Sequence, residues 1–352
     1  MSPTNHSEQS VERRAVLKAA GVGLGASVLS GLAATAQAQT SGAVGATTGA
    51  KDAIFARDYW AKKGDVMLAM YRKRLGEPAA GEAPRPVLFL VHGSSNSALS
   101  SYDLQAPGKG EYSMMDHFAR LGYDVWTMDH EGYGKSTRTS GNSDIKSGVE
   151  DLKAASPIVA HETGQSKFHF FGTSSGAIRA GAFAQAQPDR VDRLVLSAFT
   201  YKGEGSPTLA DRAKQLEYYR THNTRLRDRA MVRSIFTRDS LPQSYDMSVV
   251  EIMADMELKY GDQVPTGTYL DMTANLPLVD PLKVTSPVLM IRGDHDGIAT
   301  VNDLFDFYRQ LPNGDRQFVI VPQTAHNPTL GKNRFLYWHA VNAFLTMPPA
   351  VS

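Results

Sequence analysis

Apolar positions along this chain fall into short continuous runs separated by longer amphipathic stretches. Two β-rich runs, 54–60 and 66–71, flank Lys63-Gly64-Asp65 and predict an opening antiparallel hairpin. Residues 87–91 (Val-Leu-Phe-Leu-Val) form an unbroken apolar run of the kind buried on both faces of a sheet. Further strands are predicted at 124–129, at the apolar run starting at Phe168, at 193–198, at 286–293 and at 318–322. Between them, helices are predicted over 114–121, over 145–163 with Val149, Leu152, Ile158 and Val159 on one face, from Ala177 onward, and over 337–344. Alternating strand and helix implies a mostly parallel, doubly wound α/β sheet.

The alternation stops between 199 and 284. This stretch has no clear buried strand and carries charge-rich, helix-like segments at 209–222, 225–236 and 248–260. Met231, Met247, Met253, Met256 and Met272 are scattered through it with Tyr218, Tyr219, Tyr245 and Tyr260. These side chains either line an apolar pocket or pack the segment onto the sheet; the pattern leaves both open.

Composition narrows the class. Of 352 residues, 42% are hydrophobic and 21% charged, enough to bury a sizeable core. A net charge of +1 gives no electrostatic case for nucleic acid or an anionic membrane. There is no cysteine, which excludes disulfides, thiolate catalysis and Cys-based zinc sites. The first residues read as a leader. Arg13-Arg14 followed by Leu17-Lys18, an uncharged Gly- and Ala-rich segment, and Ala36-Gln37-Ala38 resemble a twin-arginine export signal with its cleavage site. The expected boundaries are a signal at 1–38, a flexible linker at 39–50, core at 51–198, an insertion at 199–284 and core again at 285–352. The export machinery is then the expected partner during targeting, and the mature protein is expected to be periplasmic or secreted.

Chemistry concentrates at strand ends. The run at 168–171 ends in Gly172-Thr173-Ser174-Ser175-Gly176, a Gly-x-Ser-x-Gly set between strand and helix. A serine held in such a turn is exposed, with the helix N-terminus offering free N–H groups beside it. The strand at 87–91 ends in His92-Gly93-Ser94-Ser95, and that at 124–129 runs into Asp129-His130-Glu131-Gly132-Tyr133-Gly134-Lys135-Ser136. Gly293-Asp294-His295-Asp296 ends another strand, and Gln323-Thr324-Ala325-His326 follows the last.

On these motifs the chain resembles the α/β-hydrolase superfamily over almost all of its mature length. The resemblance implies a nucleophile at Ser174, an acid at Asp296 and a base at His326, in the Ser…acid…His order of that fold. It further implies an oxyanion hole from the backbone N–H groups of Ser94 and Ser175, and a helical cap over the site from 199–284. Asp294 is the rival acid. A metal on Asp294-His295-Asp296 is the weaker reading, since three adjacent residues rarely converge on one ion. Ala325 stands where the family more often has glycine. His92, His130 and Glu131 read as structural. No cofactor or metal is expected, and the partner is a small-molecule ester or related carbonyl compound. Ester, amide and carbon–carbon hydrolysis all use this triad, and a silent binding module or a cofactor-free oxygenase shares the fold.

Overall fold

The computed structural model describes residues 53–239 and 241–348; the leader and linker readings lie outside these. The chain opens with β1 (Ile54–Lys63) and β2 (Val66–Leu75), paired antiparallel in the expected hairpin. Next come β3 (Val87–Val91), the short α1 (Ala98–Tyr102), and the small strands β4 (Asp103–Leu104) and β5 (Tyr112–Ser113), which pair with each other. Then follow α2 (Met114–Arg120), β6 (Asp124–Met128) and α3 (Ile145–Thr163). Asp144 caps α3 by accepting from the Ser147 N–H at 2.7 Å, and Gly164 closes it at φ 70°. The motif strand β7 (Phe168–Thr173) leads into α4 (Ser175–Ala186), and β8 (Val191–Ser197) ends the first half.

The 199–284 segment adds no strand to the main sheet. It contains α5 (Pro207–Ala213), α6 (Leu216–Thr221), β9 (Thr224–Leu226), α7 (Arg229–Thr237), α8 (Met247–Leu258), β10 (Gln263–Pro265) and α9 (Gly267–Leu270). Two details differ from the sequence pattern. The helix expected over 209–222 breaks at Lys214-Gln215, and that expected from Arg225 starts later. Residues 224–226 pair with β10 instead, and Asp228 caps α7 through the Met231 N–H at 2.7 Å. The sheet resumes with β11 (Val288–Gly293), α10 (Val301–Gln310), β12 (Arg316–Val321) and α11 (Arg334–Leu345).

Eight strands form one sheet in the order β1-β2-β6-β3-β7-β8-β11-β12, antiparallel through β1, β2 and β6 and parallel from β6 to β12. This is the α/β-hydrolase fold. Alternation along β7 fills both layers: Phe168 and Phe170 join Phe89, Trp126 and Phe183 on one face, while Phe171 joins Phe118, Tyr337 and Trp338 on the other. A third cluster, with Phe236, Tyr245, Val249, Val250 and Met253, packs the inserted segment. Among the described residues no helix is long and apolar enough to cross a membrane.

Candidate active site

Ser174 occupies the turn between β7 and α4 at φ 57° and ψ −126°, a conformation a non-glycine residue adopts only under constraint. Two glycines make that turn possible. A Cβ on Gly172 would overlap the Gly176 carbonyl, and one on Gly176 would overlap the carbonyls of Val91 and His92. The Ser174 N–H donates to the Ser197 carbonyl on the adjacent strand at 2.9 Å. Strand, turn and helix thus fix the serine before any side chain reaches it.

The structure brings Ser174, His326 and Asp296 into one line. His326 Nε2 lies 2.9 Å from Ser174 Oγ, and His326 Nδ1 lies 2.8 Å from Asp296 Oδ1. That carboxylate oxygen also accepts the N–H groups of Ile298 at 2.9 Å and Ala299 at 3.1 Å. Burial works against charge on Asp296, but His326 and those backbone donors outweigh it and hold its pKa below the usual carboxylate range. Asp294 faces elsewhere: its two oxygens accept the Gln323 and Thr324 N–H groups, each at 3.0 Å. The adjacent carboxylates therefore have separate backbone and side-chain partners, and no group of three metal-ligating side chains forms among the described residues.

Ser94 and Ser175 also meet, their hydroxyls 2.7 Å apart. Ser94 lines the pocket with Ser174 and His326, while Ser175 lies fully buried beneath it. Behind Ser94 stands a buried polar lattice. His92 Nε2 accepts the His130 N–H at 3.0 Å, which leaves the proton on Nδ1, donated to the Gly93 carbonyl at 2.8 Å. Tyr133 donates to the Ser94 carbonyl at 2.7 Å. Asp129 accepts from the Ala98 N–H at 2.8 Å and from Tyr71 Oη at 2.7 Å. The Asp-x-x-Gly-x-Gly segment thus braces the loop that carries Ser94.

This lattice has a consequence for stability in acid. Burial drives His92 and His130 well below the usual histidine range, helped in both by the Arg179 charge. The unfolded chain then binds protons below pH 6.5 that the folded chain refuses, so stability falls as pH falls. Between pH 7.5 and 5.5 each buried neutral histidine is expected to cost about 1.4 kcal/mol. Urea unfolding at the two pH values measures the loss, and equal midpoints would mean that the fold accommodates both imidazolium ions.

Four contributors carry no sequence motif. Asp239 Oδ2 accepts the His326 N–H at 2.8 Å, and Tyr245 Oη accepts the Asn327 N–H at 2.9 Å, so the inserted segment suspends the histidine loop. Glu257 of α8 accepts from Ser97 N at 2.6 Å and Ser97 Oγ at 2.7 Å, and is ion-paired with Arg227; both charges are buried. The pocket itself is narrow, about 40 Å³. None of the five methionines of the inserted segment lines it; that segment contributes Arg212, Ile235 and Arg238 to its wall.

A family model described as serine aminopeptidase S33 matches residues 82–332. Over 129 residues the chain is 34% identical to a 2-hydroxy-6-oxononadienedioate/2-hydroxy-6-oxononatrienedioate hydrolase of Paraburkholderia phymatum; that stretch is 36% of this chain and 39% of the relative's length. Among solved structures, an enol-lactonase from Burkholderia xenovorans superposes with a TM-score of 0.60 at 17% identity, covering 82% of this chain and 100% of its own. A thermophilic esterase from Thermogutta terrifontis gives 0.59 at 19% identity, covering 82% and 98%. Identities this low speak to the fold, whereas the family model spans well over half of the sequence. On that match the chain belongs to the serine aminopeptidase S33 family of α/β-hydrolases.

Proposed function

We propose that the protein is an exported carboxylic-ester hydrolase working through an acyl-enzyme at Ser174. The observation that carries this reading is the serine hydroxyl 2.9 Å from His326 Nε2, in a strained turn at a helix N-terminus. His326 takes the Ser174 proton as Oγ attacks the ester carbonyl carbon, and Asp296 holds the ring and its charge. The N–H groups of Ser94 and Ser175 receive the oxyanion. Collapse expels the alcohol, protonated by His326. Water, deprotonated by the same imidazole, then attacks the acyl carbon and releases the acid and the free serine. Export rests on the Arg13-Arg14 leader pattern.

The relatives favour a second reading. A hydrolase of a hydroxy-oxo-dienedioate cleaves a carbon–carbon bond beside a ketone, and the same side chains would serve that reaction here. Peptide N-termini fit less well, since the pocket wall offers arginines and no carboxylate to receive an ammonium group. The test is a series of p-nitrophenyl esters of graded acyl length, run beside alanine p-nitroanilide and a vinylogous 1,5-diketone. A pocket this narrow is expected to favour short acyl chains over long ones. Diketone cleavage with weak ester turnover would move the reading to carbon–carbon hydrolysis.

A further inference from the structure

The inserted segment lines the pocket with two arginines, and of these Arg238 alone has a carboxylate beside it among the described residues. Arg212 of α5 makes no ion pair among the described residues. Its nearest partners are the Met272 sulfur at 4.0 Å and the face of Tyr269, whose ring centre is 5.0 Å from the guanidinium carbon. Arg225, outside the pocket lining, lies against the same ring at 4.8 Å, and among the described residues its hydrogen bond goes to the Tyr219 hydroxyl at 3.3 Å. Arg238 Nε is buried without a hydrogen bond among the described residues, 3.9 Å from Asp239, whose other oxygen is taken by the His326 N–H. Elsewhere on the inserted segment Arg229 and Arg233 both sit on Glu251, and Arg227 on Glu257.

Leaving a guanidinium group unpaired beside another cation costs free energy that a bound anion recovers. Burial, then repulsion from Arg238, pulls the Arg212 pKa down to about 10, so the group stays charged at neutral pH while crowded by like charge. Both Arg212 and Arg238 border the pocket that holds Ser174 Oγ, His326 and Ser94. Tyr269, the ring beneath Arg212, bonds Ser95 on the same wall at 2.7 Å, which ties the cationic side to the loop of the expected oxyanion hole.

Building on the ester-hydrolase reading, we propose that the substrate carries a carboxylate besides its reacting carbonyl, received by Arg212 and Arg238. The preferred substrates are then half-esters of short dicarboxylic acids. A planar carboxylate matches the guanidinium fork, whereas a neutral acyl chain leaves Arg212 desolvated and unpaired and Arg238 with its long contact to Asp239.

Two measurements test this separately from ester chemistry. The first compares ethanol release from monoethyl succinate and ethyl butyrate, esters with the same acyl length. The wild type is expected to favour the half-ester by about tenfold or more in kcat/KM, mainly through KM, the size of effect a charge-assisted hydrogen bond gives. In Arg212→Gln and Arg238→Gln that ratio is expected to collapse toward one. The second is calorimetric binding of succinate, butyrate and inorganic phosphate to Ser174→Ala. Succinate binding that weakens about tenfold or more in the arginine variants supports the site even if no ester is turned over, in which case only the ester reading falls. Rapid ester turnover with no half-ester preference and no succinate binding overturns the carboxylate site and leaves the ester reading standing. Phosphate binding more tightly than succinate would show an anion site of the wrong chemistry and overturn it too.

Discussion

Replacing Ser174 by alanine is expected to lower kcat by about 10⁴ to 10⁶-fold, to the level that the oxyanion donors and substrate binding supply alone. The fold should survive. The Ser174 side chain caps no helix and among the described residues its side-chain hydrogen bond goes to His326 alone, so the thermal midpoint is expected to stay within a few degrees of wild type. Asp296→Asn should lower kcat by less and by a different route: the Ile298 and Ala299 N–H groups keep the amide oxygen at the Oδ1 place, but a neutral amide stabilises the His326 imidazolium less than a carboxylate does. A fluorophosphonate should label the wild type at one equivalent and leave Ser174→Ala unlabelled. Steady-state rates with that titration separate the two variants. Residual turnover within tenfold of wild type in Ser174→Ala would place the nucleophile elsewhere.

The largest expected effect on stability lies at Glu257. Its carboxylate is fully buried, paired with Arg227, and takes hydrogen bonds from Ser97 and Ser100. Arg227 in turn donates to the carbonyls of Glu257 and Gly261, each at 2.7 Å. Glu257→Ala strands the guanidinium in a dry site and leaves the Ser97 N–H without its acceptor; a loss of about 3–5 kcal/mol is expected. Removing both charges, as Glu257→Leu with Arg227→Met, should recover much of that loss, since an apolar pair of similar volume avoids the desolvation of two ions. Urea unfolding of the single and double variants gives the comparison. A single variant as stable as wild type would mean that the pair contributes little beyond its own desolvation.

The sheet and the serine turn were legible because their signals are local. An apolar run, a Gly-x-Ser-x-Gly and a following helix sit within one short stretch, and α3 falls where its apolar face predicts, at Ile145–Thr163. His326 and Asp296 were legible through strand ends, and the structure resolves the choice between Asp294 and Asp296 by the direction each carboxylate takes. What the pattern hid depends on distant pairs. Asp239 reaches His326 across 87 residues, Tyr245 reaches Asn327 across 82, and Glu257 reaches Ser97 across 160. No periodicity encodes such contacts. The role of the scattered methionines stays open in the sequence for a related reason: composition shows that a segment is adaptable and apolar, but tertiary packing decides which side chains face the pocket. Met253 went into the packing cluster and the arginines took the wall.

The suspension of the histidine loop from Asp239 and Tyr245, with Glu257 holding the Ser94 loop, limits how this chain can change. A transplanted or shortened insertion would have to supply a carboxylate, a phenol and a buried acid at matching places, or the reacting groups would lose their alignment. Altered selectivity is more accessible at Arg212 and Arg238, whose side chains border the pocket without supporting either loop backbone. Within one segment, adjacent positions 238 and 239 therefore divide between a site open to drift in substrate preference and one closed to it.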